Sequence, residues 1–281
     1  MRYVEIQGVR VPALGFGTWA LTAENTRLSV LRALQAGYRH VDTAQAYDNE
    51  EHVGAALREA KIPRSEIFLT TKLHMETQRY DEAKRSLEIS LEKLGTDYVD
   101  LFLIHWPSSS VPLEETMRAL NELQAKGMTR HIGVSNFPSA TIAKARALAA
   151  TPLFANQVEY HALLSQNVLL EDARANGAML TAYSPLARGK IVSEPTLGEI
   201  GKRYGKSAAQ VGLRWLIQQV GVSAIPRSSN PERIRTNFEI FDFELDDGEM
   251  ARIWTLPKDQ RVVRPPWAPV WDPEPASSFQ R

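Results

Sequence analysis

Four side chains in this sequence have types suited to proton chemistry at a carbonyl: Asp42, Tyr47, Lys72 and His105. Asp42 closes the strand-like run Tyr38-Arg39-His40-Val41, and the phenol of Tyr47 follows five residues later. Lys72 closes Ile67-Phe68-Leu69-Thr70-Thr71, and His105 closes Leu101-Phe102-Leu103-Ile104. A carboxylate at the end of a buried strand is costly unless it is paired. A phenol, with an ordinary pKa near 10, is a poor acid until a cation stabilises its anion. Lys72 answers both needs: it pairs with Asp42 and, set beside Tyr47, is expected to lower the phenol towards working pH. Such a phenol protonates a carbonyl oxygen as that oxygen gains negative charge, with the imidazole on its other side. Each pKa unit is worth ~1.4 kcal/mol, so a shift of about two units matters to the barrier. Alone, Asp42 and Lys72 read as a structural ion pair and His105 as a core histidine. The four at successive strand ends read as a site.

Those residues need elements that bring consecutive strand ends together. The strand-closing positions are Asp42, Lys72, His105, Ser135, Gln157, Tyr183 and Arg227, at intervals of 30, 33, 30, 22, 26 and 44 residues. A strand and its crossover helix need ~30 residues, so most intervals hold one βα unit. The last has room for two helices, Leu197–Tyr204 and Ser207–Gln219, with Ser207 and Gln210 as a capping box. Helical spacing of apolar residues also marks Thr26–Ala36 before Gly37, Val53–Ala60, Tyr80–Leu94 before Gly95, and Val111–Ala125 before Gly127. With a strand at Leu14–Gly17 the count reaches eight. The pattern predicts an α/β protein, a single (β/α)8 TIM barrel over residues 1–281, in which strand C-terminal ends gather at one face. Alternation around Gly8 from Tyr3 to Leu14 predicts an N-terminal β-hairpin. From Leu256 onward six prolines exclude regular helix or central strand, while Trp267 and Trp271 favour a loop laid over the barrel mouth as far as Asp272. Residues 273–281 are expected to form a loose tail.

Composition limits the partners. Thirty-three basic and thirty-three acidic residues cancel, which removes a bulk electrostatic case for nucleic acid or membrane surfaces. Hydrophobic content of 43% suits a folded globular chain, and no run approaches the ~20 apolar residues of a spanning helix. No cysteine means no disulfides or thiolate chemistry, in keeping with a reducing compartment. The expectation is a cytoplasmic monomer with no metal, since the histidines lack zinc-ligand spacing. Gly15-Phe16-Gly17-Thr18-Trp19-Ala20 matches a dinucleotide fingerprint on paper, but Pro12 interrupts the preceding strand and bulky Phe16 and Trp19 fill the turn. Tyr80 and Lys84 share the spacing of a short-chain dehydrogenase pair at a helix start; we read that as chance.

The segments Gly15-Phe16-Gly17-Thr18-Trp19, Val41-Asp42-Thr43-Ala44 through Tyr47, Thr71-Lys72-Leu73, Leu103-Ile104-His105-Trp106-Pro107, Gly133-Val134-Ser135-Asn136-Phe137, Asn156-Gln157-Val158-Glu159-Tyr160 and Ala182-Tyr183-Ser184-Pro185-Leu186 resemble the aldo-keto reductases. They run in family order over nearly the whole chain, and the ending looks most similar to the bacterial 2,5-diketo-D-gluconate reductases. The resemblance implies NADPH-dependent reduction of an aldehyde or reactive ketone, with Tyr47 as general acid, Lys72 and Asp42 tuning it, and His105 orienting the carbonyl. It implies that nicotinamide stacks on Tyr183 and bonds to Ser135, Asn136 and Gln157, with Ser184 and Leu186 beside it. It assigns Arg227, Ser228 and Arg233 to the 2′-phosphate and Asn237 to adenine. Asn230-Pro231 opens a helix there, a start suited to an anion. Arg227 stands where lysine is common in the family, and Thr236 where glutamate is common. Trp19, His74, Trp106 and Trp267 are the expected substrate walls, while Trp215 and Trp254 read as core. Two other classes remain open: an aldolase with Lys72 as Schiff-base nucleophile, and a non-catalytic protein that only holds the cofactor.

Overall fold

The computed structural model describes residues 1–273. Two short strands, β1 (Tyr3–Ile6) and β2 (Val9–Pro12), form an antiparallel hairpin that turns at Gln7 and Gly8. The Gln7 side chain donates to the carbonyls of Leu153 and Gly177, both at 3.1 Å. Those carbonyls precede strands of the main sheet, so the hairpin closes the end opposite the strand termini.

Eight parallel strands follow: β3 (Phe16–Gly17), β4 (His40–Asp42), β5 (Phe68–Leu73), β6 (Val99–Ile104), β7 (Thr129–Ser135), β8 (Ala155–Glu159), β9 (Met179–Tyr183) and β10 (Val222–Ala224). Each pairs with its sequence neighbour. The ring shuts where Leu14 bridges Ala224, the Gly15 amide donates to the Ala224 carbonyl at 2.9 Å, and the Gly17 amide donates to that of Pro226 at 3.0 Å. Glycine is needed at this seam. A Cβ on Gly15 would lie 2.7 Å from the His40 ring, and one on Gly17 would lie 2.9 Å from the Ile225 carbonyl. The Gly-x-Gly of the sequence is therefore a barrel closure and not a phosphate loop.

Helices α1 (Ala23–Ala36), α2 (Glu50–Ala60), α3 (Tyr80–Leu94), α4 (Leu113–Ala125), α5 (Ser139–Leu148) and α6 (Asn167–Ala175) cover the strands. The long last interval holds α7 (Pro195–Tyr204) and α8 (Ala208–Gln218), then α9 (Pro231–Phe238) and α10 (Asp247–Trp254) follow β10. The Ser207–Gln210 capping box forms. Gly37 and Gly95 end α1 and α3 in the left-handed conformation. The helix patterns found α3 to the residue; α2 starts three residues earlier than its apolar stripe, because Glu50 is drawn inside by Thr71 and Ser90. Strands β4, β5, β6 and β8 are buried throughout, as a two-sided parallel sheet requires. Each large aliphatic side chain buried there contributes on the order of 1.5–3 kcal/mol.

Beyond α10 the chain crosses back over the strand ends. Asp259 bridges Leu164, and the Gln260 amide donates to the Leu163 carbonyl at 3.0 Å. The amides of Val262 and Val263 donate to the Glu159 carboxylate at 2.6 and 2.8 Å, and Asp272 accepts from Ser139. The loop over the mouth is thus held as far as Asp272. The tail expected over 273–281 lies, apart from Pro273, outside the described residues.

Candidate active site

Four strand ends meet at one point. The Lys72 ammonium, fully buried, donates to Asp42 Oδ1 at 2.6 Å, to the Thr43 carbonyl at 2.8 Å and to the Tyr47 hydroxyl at 3.2 Å. Its three protons are all used, so its orientation is fixed. The other Asp42 oxygen, Oδ2, accepts from Gln157 Nε2 at 2.7 Å across the barrel. Tyr47 rides a single 3-10 turn, Gln45–Tyr47, and its ring meets His105 edge-on at 5.5 Å. That turn is tied down by Gln45, which donates to Ser86 and Ser90 of α3 and accepts from the His74 amide at 2.8 Å.

The electrostatics correct one expectation. Burial lifts the Tyr47 hydroxyl above its ordinary value of 10.0 and outweighs the opposing pull of Lys72, to which Asp42 also runs counter. The sequence shows the cation but not the depth of the hydroxyl, which accepts from the fully buried ammonium. Burial works against the Lys72 ammonium too, but Asp42 and Tyr47 overcome it and hold the group above its ordinary value. Burial, helped by Lys72 and His74, drives His105 well below 6.5. At neutral pH the site therefore holds a neutral phenol, an ammonium and a neutral imidazole.

A polar shelf continues from Asp42. Ser135 Oγ donates to the Gln157 carbonyl at 2.8 Å, and Asn136 donates to the His105 carbonyl at 3.0 Å and to Ser135 Oγ at 3.1 Å. Asn136 Oδ1 accepts from the Tyr183 hydroxyl at 2.7 Å. Asn136, Ser184, Ala187 and Arg188 all sit at positive φ, a concentration of backbone strain beside the strand ends. Ser184 and Leu186 lie half-buried in the loop after β9.

Further round the rim, the Asn230 side chain caps α9 by accepting from the Arg233 amide at 3.0 Å, with Pro231 at the first turn. Ser228 Oγ, nearly buried, accepts from the Asn230 amide at 3.1 Å. Arg227 and Arg233 are exposed and, among the described residues, their guanidiniums have no ion-pair partner. Asn237 is buried on the inner side of α9. Among the described residues no group of three or more His, Cys, Asp or Glu is placed to hold a metal. No helix among them is long and apolar enough to cross a membrane.

The expected walls differ in their surroundings. Trp106 is nearly buried and faces Trp271 edge-on at 6.3 Å. Trp19 is 43% exposed under the Arg188 guanidinium, 4.8 Å away. His74 accepts from the Glu76 amide at 3.2 Å and caps a short turn. Trp267 is 54% exposed and stacks on no other ring among the described residues. Trp215 is fully buried against Trp254 at 5.1 Å, as expected of core.

With this geometry in hand, comparison with known proteins is decisive: a family model described as the aldo/keto reductase family matches residues 13–256. The chain belongs to the aldo/keto reductase family. It is 41% identical to a glyoxal reductase of Bacillus subtilis over 256 residues, covering 91% of this chain and 92% of that protein. It is also 41% identical to a methylglyoxal reductase of Salmonella typhi over 266 residues, covering 93% and 99%. Among solved structures, a protein provisionally assigned as a 2,5-diketo-D-gluconic acid reductase B superposes with a TM-score of 0.95 at 45% identity, covering 97% of this chain and 98% of that one. An aldo-keto reductase of Bombyx mori in complex with NADP has a TM-score of 0.87 at 33% identity, covering 93% and 94%.

Sequence reading missed two residues of this aldo/keto reductase. Glu159 ends β8, is fully buried, accepts from Val262, Val263 and His161, and so fastens the C-terminal loop. Its only sequence signal is a carboxylate at a strand end, the same signal that marked Asp42. Trp271 packs edge-on against Trp106 while Trp267 stays 54% exposed, and nothing local in the sequence distinguishes the two.

Proposed function

We propose that this aldo/keto reductase uses NADPH to reduce aldehydes and reactive ketones, among them dicarbonyls and keto-sugars, to alcohols, with Tyr47 as the general acid. The observation that carries the reading is the Asp42–Lys72–Tyr47 chain, with Lys72 Nζ at 2.6 and 3.2 Å from its two neighbours and His105 against the phenol. The names of the glyoxal and methylglyoxal reductases support the substrate class.

The residues present fit the cofactor. Two exposed guanidiniums and a capped helix start suit a dianionic phosphate, so Arg227, Ser228 and Arg233 would hold the 2′-phosphate, and the Asn237 amide the adenine. Tyr183 would present a ring face to the nicotinamide, with Ser135, Asn136, Gln157, Ser184 and Leu186 around it. The chemistry the cofactor supplies when bound is a hydride donor.

The chain's own residues do the rest. His105, neutral and wedged against Tyr47, donates a hydrogen bond to the substrate oxygen and aims it at the phenol. Tyr47 keeps its proton at rest because burial opposes the phenolate, and it gives that proton up when the substrate oxygen becomes the stronger base. Lys72 then stabilises the phenolate, and Asp42 keeps Lys72 charged. A Schiff-base role needs a neutral lysine, whereas Lys72 is held charged with every proton committed. We read the chain as one barrel domain acting as a cytoplasmic monomer.

The test is Tyr47→Phe. NADPH oxidation with methylglyoxal should fall by roughly 10²–10⁴-fold, while the dissociation constant for NADPH stays within about twofold. Retained turnover, or cofactor binding lost along with it, overturns the assignment of Tyr47.

A further inference from the structure

Tyr47 sits inside a short segment whose two ends meet at one side chain of α3. Gln45 opens the 3-10 turn that ends on Tyr47, and Glu50 is the first residue of α2. Gln45 Nε2 donates to Ser90 Oγ at 3.0 Å, and Ser90 Oγ donates in turn to Glu50 Oε2 at 3.2 Å. A hydroxyl can accept and donate at once, so the fully buried Ser90 closes a ring around residues 45–50. Without the carboxylate its proton would fall back on the Ser86 carbonyl, 3.1 Å away in its own helix.

The ring is tied to the strand that carries Lys72, on either side of that residue. Glu50 Oε1 accepts from Thr71 Oγ1 at 2.6 Å, and Gln45 Oε1 accepts from the His74 amide at 2.8 Å. On the barrel side, Asn49 Oδ1 accepts from Thr43 Oγ1 at 2.8 Å and Asn49 Nδ2 donates to the Thr18 carbonyl at 2.9 Å. Between these anchors Asp48 keeps a left-handed φ of 50°. A residue with a side chain holds that conformation only where its surroundings impose it. A carboxylate as deeply buried as Glu50 is costly unless its oxygens are used; here each one accepts a hydroxyl that anchors the segment.

We propose that Ser90 is a positioning residue for proton transfer: by joining Gln45 to Glu50 on α3 it fixes the segment that carries Tyr47, and with it the reach from the phenol to Lys72. The inference rests on the reading of Tyr47 as general acid and adds what holds that acid in register. Ser90 and Gln45 touch no substrate; they act through Tyr47. Misplacing a reacting group by about 1 Å can cost ~10²-fold in rate, so loosening one anchor among several costs less than that.

The experiment follows methylglyoxal reduction in Ser90→Ala and in Gln45→Met, which keeps the length of a half-buried side chain and removes its polar atoms. In each, kcat should fall roughly tenfold, while the NADPH dissociation constant and the number of binding sites per chain change by less than about twofold. The alkaline fall of kcat/KM should also move to lower pH, because water admitted to the phenol relieves the burial that raises it. Asp42, Lys72 and His105, the ionisable groups that face the phenol from β4, β5 and the end of β6, are the same in both variants. Ser90→Cys, close in size and still a weak donor, should recover part of kcat. The double variant should be no slower than the slower single one, since both break one ring. Unchanged kcat and an unmoved alkaline fall in Gln45→Met, with the wild-type enzyme active, overturn this inference alone. A loss of kcat matched by an equal loss of NADPH sites overturns it too, since the ring would then only support folding. No NADPH oxidation by the wild-type protein overturns the reading of Tyr47 and this inference with it.

Discussion

Tyr47 has two jobs that pull its acidity in opposite directions. It must stay protonated until a substrate arrives, and it must part with that proton during turnover. Burial serves the first by raising the hydroxyl above 10.0, and the Lys72 ammonium at 3.2 Å serves the second. His105 is displaced the other way, well below 6.5, because a buried imidazolium beside Lys72 meets both desolvation and like charge. The signs fix a pH profile. The reactive form has Tyr47 protonated and His105 neutral. That form is lost at high pH only above the raised tyrosine value, and at low pH only below the depressed histidine value. The kcat/KM for aldehyde reduction should thus stay level through the neutral range, with no inflection at the ordinary histidine value of 6.5 and with the alkaline fall displaced above the ordinary tyrosine value. An inflection near pH 6.5 would show that His105 titrates as an ordinary exposed histidine and that the packing around it is looser than described.

At the scale of elements, the strand ends were readable because a buried apolar run that stops on a polar residue has a physical reason to stop there. Asp42 and Ser135 are the last residues of their strands; Lys72 is one short of its end and His105 one beyond it. Contacts made across long sequence distances were not readable. The Glu159 grip on Val262 and the Asp272 grip on Ser139 span more than a hundred residues, and no local pattern encodes either. The depth of the Tyr47 hydroxyl was hidden for the same reason. Helix contacts impose their own requirement at Gly54 of α2. A Cβ there would lie 2.5 Å from the Leu94 carbonyl and 2.6 Å from that of Lys93, and neither is a side chain that can turn aside. Alanine gains about 1 kcal/mol of helix propensity over glycine, but forcing α2 off the end of α3 costs typically 1–3 kcal/mol. Gly54→Ala should therefore lower the thermal midpoint, measured by circular dichroism, by several degrees without changing the substrate preference. A midpoint that stays or rises would mean that α2 shifts away from α3 at no cost.

At the scale of the whole molecule, the barrel keeps its two ends for different work. The hairpin and the Asp100 cluster, in which Arg64 and Arg130 flank one carboxylate, close the end where strands begin. The proposed site, its cofactor rim and the stapled loop occupy the end where they finish, as in other barrels of this type. Arg227 and Arg233 stand on that rim after the last strand and at the start of α9, with no carboxylate among the described residues paired to them. A ligand that supplies a dianion there binds the folded chain and not the unfolded one, so it must raise global stability. At a free concentration of 100 times Kd the gain is ~2.7 kcal/mol, which for a chain of this size moves the midpoint by roughly 5 °C. NADPH should produce that shift in scanning calorimetry. NADH at the same concentration should produce clearly less, because it lacks the phosphate these guanidiniums would meet. In the Arg227→Ala, Arg233→Ala double variant the two cofactors should become equivalent, with the NADPH shift falling to that of NADH. Equal shifts in the wild-type protein would remove both arginines from phosphate recognition and leave α9 as an ordinary capped helix.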